Sequence, residues 1–295
     1  MRILITGANG EIGKEIASQL SKIKKFNLDL LTNKKIKKKR IRQTQFFYQD
    51  LLKPIKLKIK PQVIIHCAAK HPNSKLGNNM QNIYNANIKI TKNLIKFANK
   101  ANVKKIFFLS SIAVYGKINK KIVYENSKTF KPDLYEKSKL ISEKIFYDKN
   151  NIFQTICLRI PGVFTLSLKK NYPLIIKMFK KILNNENVYA FNLNKKFNNT
   201  IDVLEIVRFI KFALKKKEIK GEIYNFSGSK PIKFIEVINL MKKLSMSKSK
   251  VLSEITNNKS FIISNNKISK KFRFSPSATK TIITRCCKNI IKKNV

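Results

Sequence analysis

The first thirteen residues constrain this chain more than any other stretch. Arg2-Ile3-Leu4-Ile5 is an apolar run too short for anything but a buried strand. Glycines follow at 7, 10 and 13, and Ile12, Ile16, Ala17, Leu20 and Ile23 then recur on one helical face. Strand, glycine turn and helix in direct succession are the context in which a glycine motif binds a dinucleotide. Gly7 would allow the tight turn, Gly10 a close backbone approach to a pyrophosphate, and Gly13 close packing of the helix on the sheet. The diphosphate would lie on free N–H groups at the helix N-terminus, where the dipole favours negative charge. An ordinary glycine-rich βα turn reads the same at this point, so the rest of the chain has to decide.

A chain of 295 residues suits one large domain or two intimately joined ones. Its net charge of +47 suggests a polyanionic partner. The residue types argue otherwise: of 63 basic residues, seven are arginines (2, 40, 42, 159, 208, 273 and 285) and 56 are lysines. Asparagine, isoleucine and phenylalanine are abundant and glycine and proline scarce, which is the mark of A- and T-rich codons. A surface built for phosphate would also use the arginine fork. We therefore expect no specific nucleic-acid partner, only loose, salt-sensitive attraction to polyanions. Cysteines 67, 157, 286 and 287 lack metal spacing and predict reduced thiols in a cytoplasmic protein, with no metal site. No apolar run reaches membrane-spanning length, and the N-terminus enters a strand rather than a signal peptide.

A second strand is expected over Asn27–Leu31, ending at Thr32-Asn33. An acid at this end would hold a ribose hydroxyl, but Asp29 lies inside the strand. Lys34 and Lys35 follow, so the choice between NAD and NADP leans weakly to NADP. Phe46–Leu51 reads as another strand; Asp50 at its end suits either an adenine amino group or a loop-capping role. Val63–Ala69 reads as a central parallel strand whose small terminal residues leave room for a cofactor. His66 within it reads as a packed core histidine. A helix over Asn82–Lys100 and a strand over Lys104–Leu109 follow, the latter ending in Ser110-Ser111.

Tyr135 and Lys139 are four residues apart and share a helical face. A phenol is a poor base near neutral pH, and a neighbouring ammonium favours its ionised form. Such a pair moves protons at a hydroxyl or carbonyl, and Ser111 could hydrogen-bond the same oxygen. The bare spacing is common in a lysine-rich chain. Near the end, Ile235–Leu244 and Thr279–Lys293 read as amphipathic helices. The last reads as docked on the protein rather than lying on lipid.

Together these pieces resemble the extended short-chain dehydrogenase/reductase family, the NAD-dependent epimerase/dehydratase group. The resemblance runs in order through Thr6–Gly13, Asp50-Leu51, His66–Ala69, Asn87, Ser110–Gly116, Tyr135–Lys139, Glu143, Leu158–Gly162, Tyr224–Gly228 and Phe272–Pro276. It implies an α/β, Rossmann-type doubly wound parallel sheet with a smaller C-terminal α/β substrate-binding portion. Residues 1–164, with 188–227 returning, would bind the dinucleotide; 165–187 and 228–295 would bind substrate. It implies Ser111, Tyr135 and Lys139 as the catalytic triad. Cofactor contacts are implied at Gly7, Gly10, Glu11, Ile12, Gly13, Asn33, Asp50, Leu51, Cys67, Ala68, Ala69, Asn87, Tyr135, Lys139 and Pro161.

The implied activity is an NAD(P)-dependent epimerase or reductase acting on a nucleotide sugar, in surface-polysaccharide or deoxysugar synthesis, with a homodimer as the expected assembly. A rival reading is a non-catalytic dinucleotide-binding protein with a structural or redox-sensing role. Relatives that dehydrate hexoses carry an Asp-Glu pair where this chain has Ile112 and Ala113, which transfer no protons. The arginine by which many relatives hold the nucleotide diphosphate is replaced by Asn198, and a nearby histidine by Asp202. A second such arginine has no counterpart around Ile255–Ile263, leaving Lys195 or Lys196 as substitutes.

Overall fold

A computed structural model describes residues 1–34, 43–72, 79–165, 173–216, 221–256 and 259–294. The chain divides into two compact units. The first comprises Met1–Gly116, Thr129–Arg159 and Ile206–Tyr224; the second Lys117–Lys128, Ile160–Glu205 and Asn225–Val295.

The first unit is built on one large sheet. Its strands are β1 (Arg2–Thr6), β2 (Asn27–Thr32), β3 (Thr44–Tyr48), β4 (Val63–His66), β5 (Lys105–Ser111), β6 (Gln154–Ile160) and β7 (Ile223–Asn225). Their spatial order is β3-β2-β1-β4-β5-β6-β7. β1 pairs in parallel with β2 and with β4, and β2–β3 and β4–β5 are parallel as well. This is the Rossmann-type doubly wound order, and it reverses between β1 and β4. Ligands bind outside the carboxyl ends of the strands at such a reversal.

Continuous apolar runs make the central strands β1, β4 and β5, because a parallel sheet is buried on both faces there, whereas edge strand β3 is only half-buried. Ile3, Leu4, Ile5, Ile64, Ile65, Ile106 and Phe107 are fully buried. Helix α1 (Glu11–Leu20) buries Gly13, Ile16, Ala17 and Leu20; of the stripe expected from the sequence, Ile12 is half-buried and Ile23 lies past the end of the helix. Helix α2 (Met80–Lys100) is capped by Asn79, whose side chain accepts from the Asn82 N–H at 3.1 Å. It packs against α3 (Leu134–Phe146), to which it is tied by buried Thr91–Ser142 and Asn87–Ser138 hydrogen bonds of 2.9 and 3.0 Å.

Two strands are shorter than their apolar patterns. β4 stops at His66 rather than Ala69, because the chain turns out of the sheet where the glycine loop approaches it. β3 stops at Tyr48; beyond it Asp50 closes a turn by accepting from the Leu52 N–H at 3.0 Å.

The second unit joins short strand pairs to helices. Val163–Phe164 pairs in parallel with Ile201–Asp202, and Val188–Ala190 with Val251–Ser253. Lys196–Phe197 pairs antiparallel with Ile232–Lys233. The helices are α4 (Leu174–Leu183), α6 (Phe234–Ser245), α7 (Asn266–Phe272) and α8 (Thr279–Asn294); α5 (Val203–Leu214) begins here and continues in the first unit. α6 packs against both α4 and α8. The apolar face of α8, with Ile282, Ile283, Cys286, Cys287 and Ile290, is buried. The terminal helix is therefore docked, and its hydrophobic face is not open to lipid. Among the described residues no helix is long and apolar enough to cross a membrane.

Candidate active site

The crevice at the strand-order reversal is assembled from backbone. Gly7 has φ +67°, a left-handed conformation that L side chains adopt at a cost. A Cβ placed there would sit 2.8 Å from the Ala68 backbone. A Cβ on Gly13 would run into the Gly7 carbonyl, 2.9 Å from its carbon. The loop thus folds flat against the end of β4 and the start of α1, as a close approach of helix to sheet requires. Gly10 stands at the N-cap with no side-chain cap, leaving the first N–H groups of α1 to other acceptors. Glu11 opens the first turn and complements the same dipole; Ile12 beside it is half-buried.

A cavity of about 150 Å³ lies here in the first unit. It is lined by Gly7, Gly10, Asn33, Asp50, Leu51 and the Cys67–Ala69 segment, among others. Asn33, at the end of β2, accepts from Asn9 Nδ2 at 3.1 Å, so a neutral amide pair joins that strand to the glycine loop. Asp29 is buried and paired with Arg2 at 2.7 Å, which removes it as a ribose ligand. Lys34 is exposed, and Lys35 lies outside the described residues. Asn87, expected at the cofactor, is buried. It clamps the backbone of Lys70, accepting from its N–H at 2.8 Å and donating to its carbonyl at 3.2 Å, and it also donates to Ser138. Pro161 follows β6 and belongs to the second unit.

Ser111 ends β5, and its Oγ accepts from the Ala113 N–H at 3.1 Å, capping a single 3₁₀ turn over Ile112–Tyr115. Ile112 is buried, so the position that is acidic in dehydrating relatives serves the core here. Tyr135 and Lys139 lie on α3. A capping box fixes where that helix starts: Asp133 accepts from the Glu136 N–H at 2.8 Å, and Glu136 accepts from the Asp133 N–H at 2.7 Å. Tyr135 is therefore held in the first turn. Lys139 is buried; its Nζ donates to the Leu109 carbonyl at 3.2 Å and lies 5.0 Å from the Phe108 ring centre. Ser111 and Lys139 are thus both attached to the carboxyl end of β5.

The ionisation of the pair departs from expectation. Tyr135 is pushed up to about 12 by burial and by Asp133 and Glu136, rather than lowered by Lys139. The cap that fixes the helix also sets two carboxylates beside the phenol. Lys139 is pulled down to about 8 by burial, against opposing contributions from Cys157, Glu143 and Cys67. His71 also stands beside this pair, although no motif marks it in the sequence. Its ring meets the Tyr135 ring edge-on at 5.0 Å, and its pKa is lowered by burial and by Lys139. Its place just past the small-residue end of a central strand was the available signal. His66 is buried, pushed down to about 3, and bonded through Nδ1 to Thr6 Oγ1 at 2.7 Å, a core histidine.

The second unit holds a larger cavity, about 370 Å³, with aromatic walls from Phe191, Phe197, Phe234 and Phe261. Lys195, Lys196, Lys259 and Asn199 also line it. Asn199 Oδ1 is buried without a hydrogen-bond partner among the described residues, an acceptor left for something else to satisfy. Asn198 points elsewhere: buried, it donates to the Gly228 and Ile263 carbonyls at 3.0 and 2.8 Å and accepts from the Ile263 N–H at 2.9 Å. Asp202 caps α5 by accepting from the Glu205 N–H at 2.9 Å, and pairs with Arg285 at 2.7 Å. Both departures from the relatives' pattern are thus structural staples, and the cationic groups at this cavity are lysines.

A Rossmann-type sheet with a glycine-lined crevice at its strand-order reversal is the architecture of dinucleotide-binding folds, and here Ser111 and Lys139 stand at the end of the neighbouring strand. The chain belongs to the NAD dependent epimerase/dehydratase family, whose model matches residues 3–227. It is 30% identical to the UDP-glucose 4-epimerase of Mycoplasma genitalium over 277 residues, covering 82% of this chain and 81% of that one. Its fold matches the UDP-glucose 4-epimerase of Thermotoga maritima, crystallised with UDP-glucose, at TM-score 0.82, 17% identity and full coverage of both chains. It also matches the UDP-glucuronic acid 4-epimerase of Bacillus cereus in complex with NAD, at TM-score 0.81 and 21% identity, covering 99% of this chain and 97% of that one. The lean to NADP finds no support: this neighbour holds NAD, and the residue at the end of β2 is a neutral amide engaged with Asn9.

Proposed function

We propose that this protein is an NAD-dependent 4-epimerase of nucleotide sugars, with UDP-sugars as its substrate class. The observation that carries the reading is the attachment of Ser111 and Lys139 to one strand end, with Tyr135 a turn away on the same helix as Lys139. The similarity to the M. genitalium enzyme supports the choice of epimerisation over reduction. The glycine loop fits a dinucleotide, because a Cβ at either Gly7 or Gly13 would close its backbone cradle. Bound NAD would supply a reversible hydride acceptor. Gly7, Gly10 and the α1 N-terminus would hold its diphosphate, and Asp50 and Asn33 would lie toward its adenosine half.

The chain's own residues then handle protons and position. The phenol of Tyr135 rests protonated, ready to give its proton to a sugar carbonyl oxygen. To take one from a sugar hydroxyl it needs the Lys139 ammonium, which offsets the two cap carboxylates. Ser111 hydrogen-bonds the same oxygen as its charge changes. Replacing Ser111 by Ala should lower kcat about 10²- to 10³-fold with little change in KM, the pattern of a contact made in the transition state. In the second unit the aromatic cavity would take the base, and Lys195 and Lys196 the diphosphate as point charges rather than forks. Changing both lysines to Ala should raise KM about tenfold, equivalent to ~1.4 kcal/mol, and flatten its salt dependence while kcat holds. The sugar so made would feed surface-polysaccharide or deoxysugar synthesis.

The direct test is to purify the protein, identify its bound nucleotide by mass, and assay UDP-glucose, UDP-galactose and their N-acetyl forms. Tightly held NAD(H) with interconversion of C4 epimers is expected. An empty site with NADPH-dependent net reduction would make it a reductase. Bound dinucleotide with no turnover across the panel would favour the non-catalytic reading.

A further inference from the structure

Beneath the Tyr135–Lys139 pair lies a buried ionic cluster with no role in the chemistry described so far. Glu143 lies on α3 four residues after Lys139 and eight after Tyr135, on one stripe of the helix. It is only 1% exposed, and Arg159 on β6 is 7% exposed. The two form a forked pair: Nη2 to Oε2 at 2.7 Å, and Nε to Oε1 and Oε2 at 3.0 and 3.3 Å. Ser110 Oγ donates to Oε1 at 2.5 Å, and Cys157 Sγ at 3.6 Å. Arg159 Nη1 donates to the Tyr115 hydroxyl at 2.9 Å, with the guanidinium stacked 4.8 Å over that ring. One carboxylate therefore ties α3 to the residue preceding Ser111 and, through Arg159, to the turn that follows it.

We propose that Glu143 is a positioning residue for the Tyr135–Lys139 pair: locked by Arg159, it keeps the buried Lys139 ammonium charged and in register with Ser111. The proposal rests on Lys139 acting as read above. A buried ammonium sheds its proton unless an anion offsets the desolvation. Lys139 faces His66 and Cys67 at the end of β4, His71 beyond it, Cys157 on β6, and Glu143 on its own helix, with Arg159 paired to the far side of that carboxylate. Both thiols stay neutral near pH 8, Cys67 being pushed up to about 12 and Cys157 well above its usual value by burial. His66 is neutral and Arg159 cationic, so of these groups Glu143 supplies the compensating charge.

The use of arginine here fits. In a chain of 56 lysines and seven arginines, lysine would serve wherever a point charge suffices, whereas holding both carboxylate oxygens requires the fork. A buried ion pair is also a poor way to gain stability alone, since well-packed apolar groups do as well or better.

The test is the pH dependence of kcat/KM for UDP-sugar epimerisation and, independently of turnover, of NAD retention. It compares wild type, Glu143→Gln, the doubly neutral Glu143→Gln/Arg159→Gln, and Ser110→Ala. Glu143→Gln should move the alkaline limb to lower pH by about one unit or more; the double variant, which loses a cation with the anion, should move it in the same direction by less, and Ser110→Ala should leave it in place. The double variant covers the case in which Glu143→Gln strands Arg159 and fails to fold. An alkaline limb unmoved in a folded Glu143 variant would overturn the proposal. So would failure of both Glu143 variants to fold while Tyr135→Phe and Lys139→Arg fold normally, because Glu143 would then be purely structural. Tyr135→Phe run alongside separates the two readings. If it keeps turnover, the site assignment falls. If it is inactive and the limb stays put, Glu143 alone loses its role.

Discussion

Replacing Tyr135 by Phe should lower turnover of UDP-sugars by about 10²- to 10⁴-fold, the range that a positioned acid–base group contributes. It should leave the fold and NAD retention nearly intact. The substitution removes one hydroxyl and keeps the ring that His71 meets edge-on at 5.0 Å. The capping box of Asp133 and Glu136 is untouched, so α3 still starts in the same place. Lys139 keeps its bond to the Leu109 carbonyl. The loss should therefore appear in kcat and in kcat/KM together, the signature of an interaction made only in the transition state. A Tyr135→Phe protein within tenfold of wild type, with bound NAD confirmed, would remove Tyr135 from the chemistry. The wild-type profile offers a second check. Lys139, pulled to about 8 by burial, is charged below that pH and neutral above it. Activity should thus fall on the alkaline side, and Lys139→Arg, which cannot lose its proton in this range, should lack that fall.

What the sequence disclosed was local, and what it hid was assembled from distant segments. β1, the glycine turn and α1 are contiguous, and their meaning lies in spacing alone, so Arg2–Leu20 could be read directly. The same holds for Tyr135 and Lys139, which one helical turn brings together. The apolar run after Pro61 was legible as a strand but not its end. β4 stops at His66 because the Gly7 backbone needs the space beside Ala68, a demand coming from sixty residues away. The direction of the Tyr135 shift was invisible for a similar reason. It depends on burial and on two carboxylates recruited by the helix cap, whereas the pattern showed only the neighbouring lysine.

Asn198 and Asp202 stood out as departures from the family pattern, but a pattern cannot say which way a side chain faces. In the fold both turn inward, Asn198 to the Ile263 backbone and Asp202 to Arg285. The Glu143 cluster draws its members from β5, α3 and β6, and no window of sequence holds them together.

The glycine turn supports a separation of roles that three single substitutions would expose. Gly7→Ala should destabilise the protein strongly, by about 1–2 kcal/mol for an L residue in a left-handed backbone and about 1–3 kcal/mol for overpacking. Its φ is +67°, and its methyl would sit 2.8 Å from the Ala68 backbone, where no side chain can swing aside. Gly13→Ala meets the Gly7 carbonyl in the same way and should lower the melting temperature by a comparable amount. Against a total stability of about 5–15 kcal/mol, either loss is large, and NAD retention should fall with it.

Gly10→Ala differs. Gly10 has φ −74°, open to any residue, and its Cβ would approach only the Gly7 carbonyl oxygen, at 3.2 Å. That variant should fold with a melting temperature near wild type. It should nonetheless lose NAD affinity by about tenfold or more, ~1.4 kcal/mol or beyond, because backbone can no longer approach the diphosphate as closely. Calorimetry with NAD on all three proteins distinguishes the cases. If Gly10→Ala binds NAD as wild type does, the loop is an ordinary strand-to-helix turn and the cofactor lies elsewhere. If it folds and fails to bind, the close approach at Gly10 belongs to the ligand, while Gly7 and Gly13 belong to the fold that presents it.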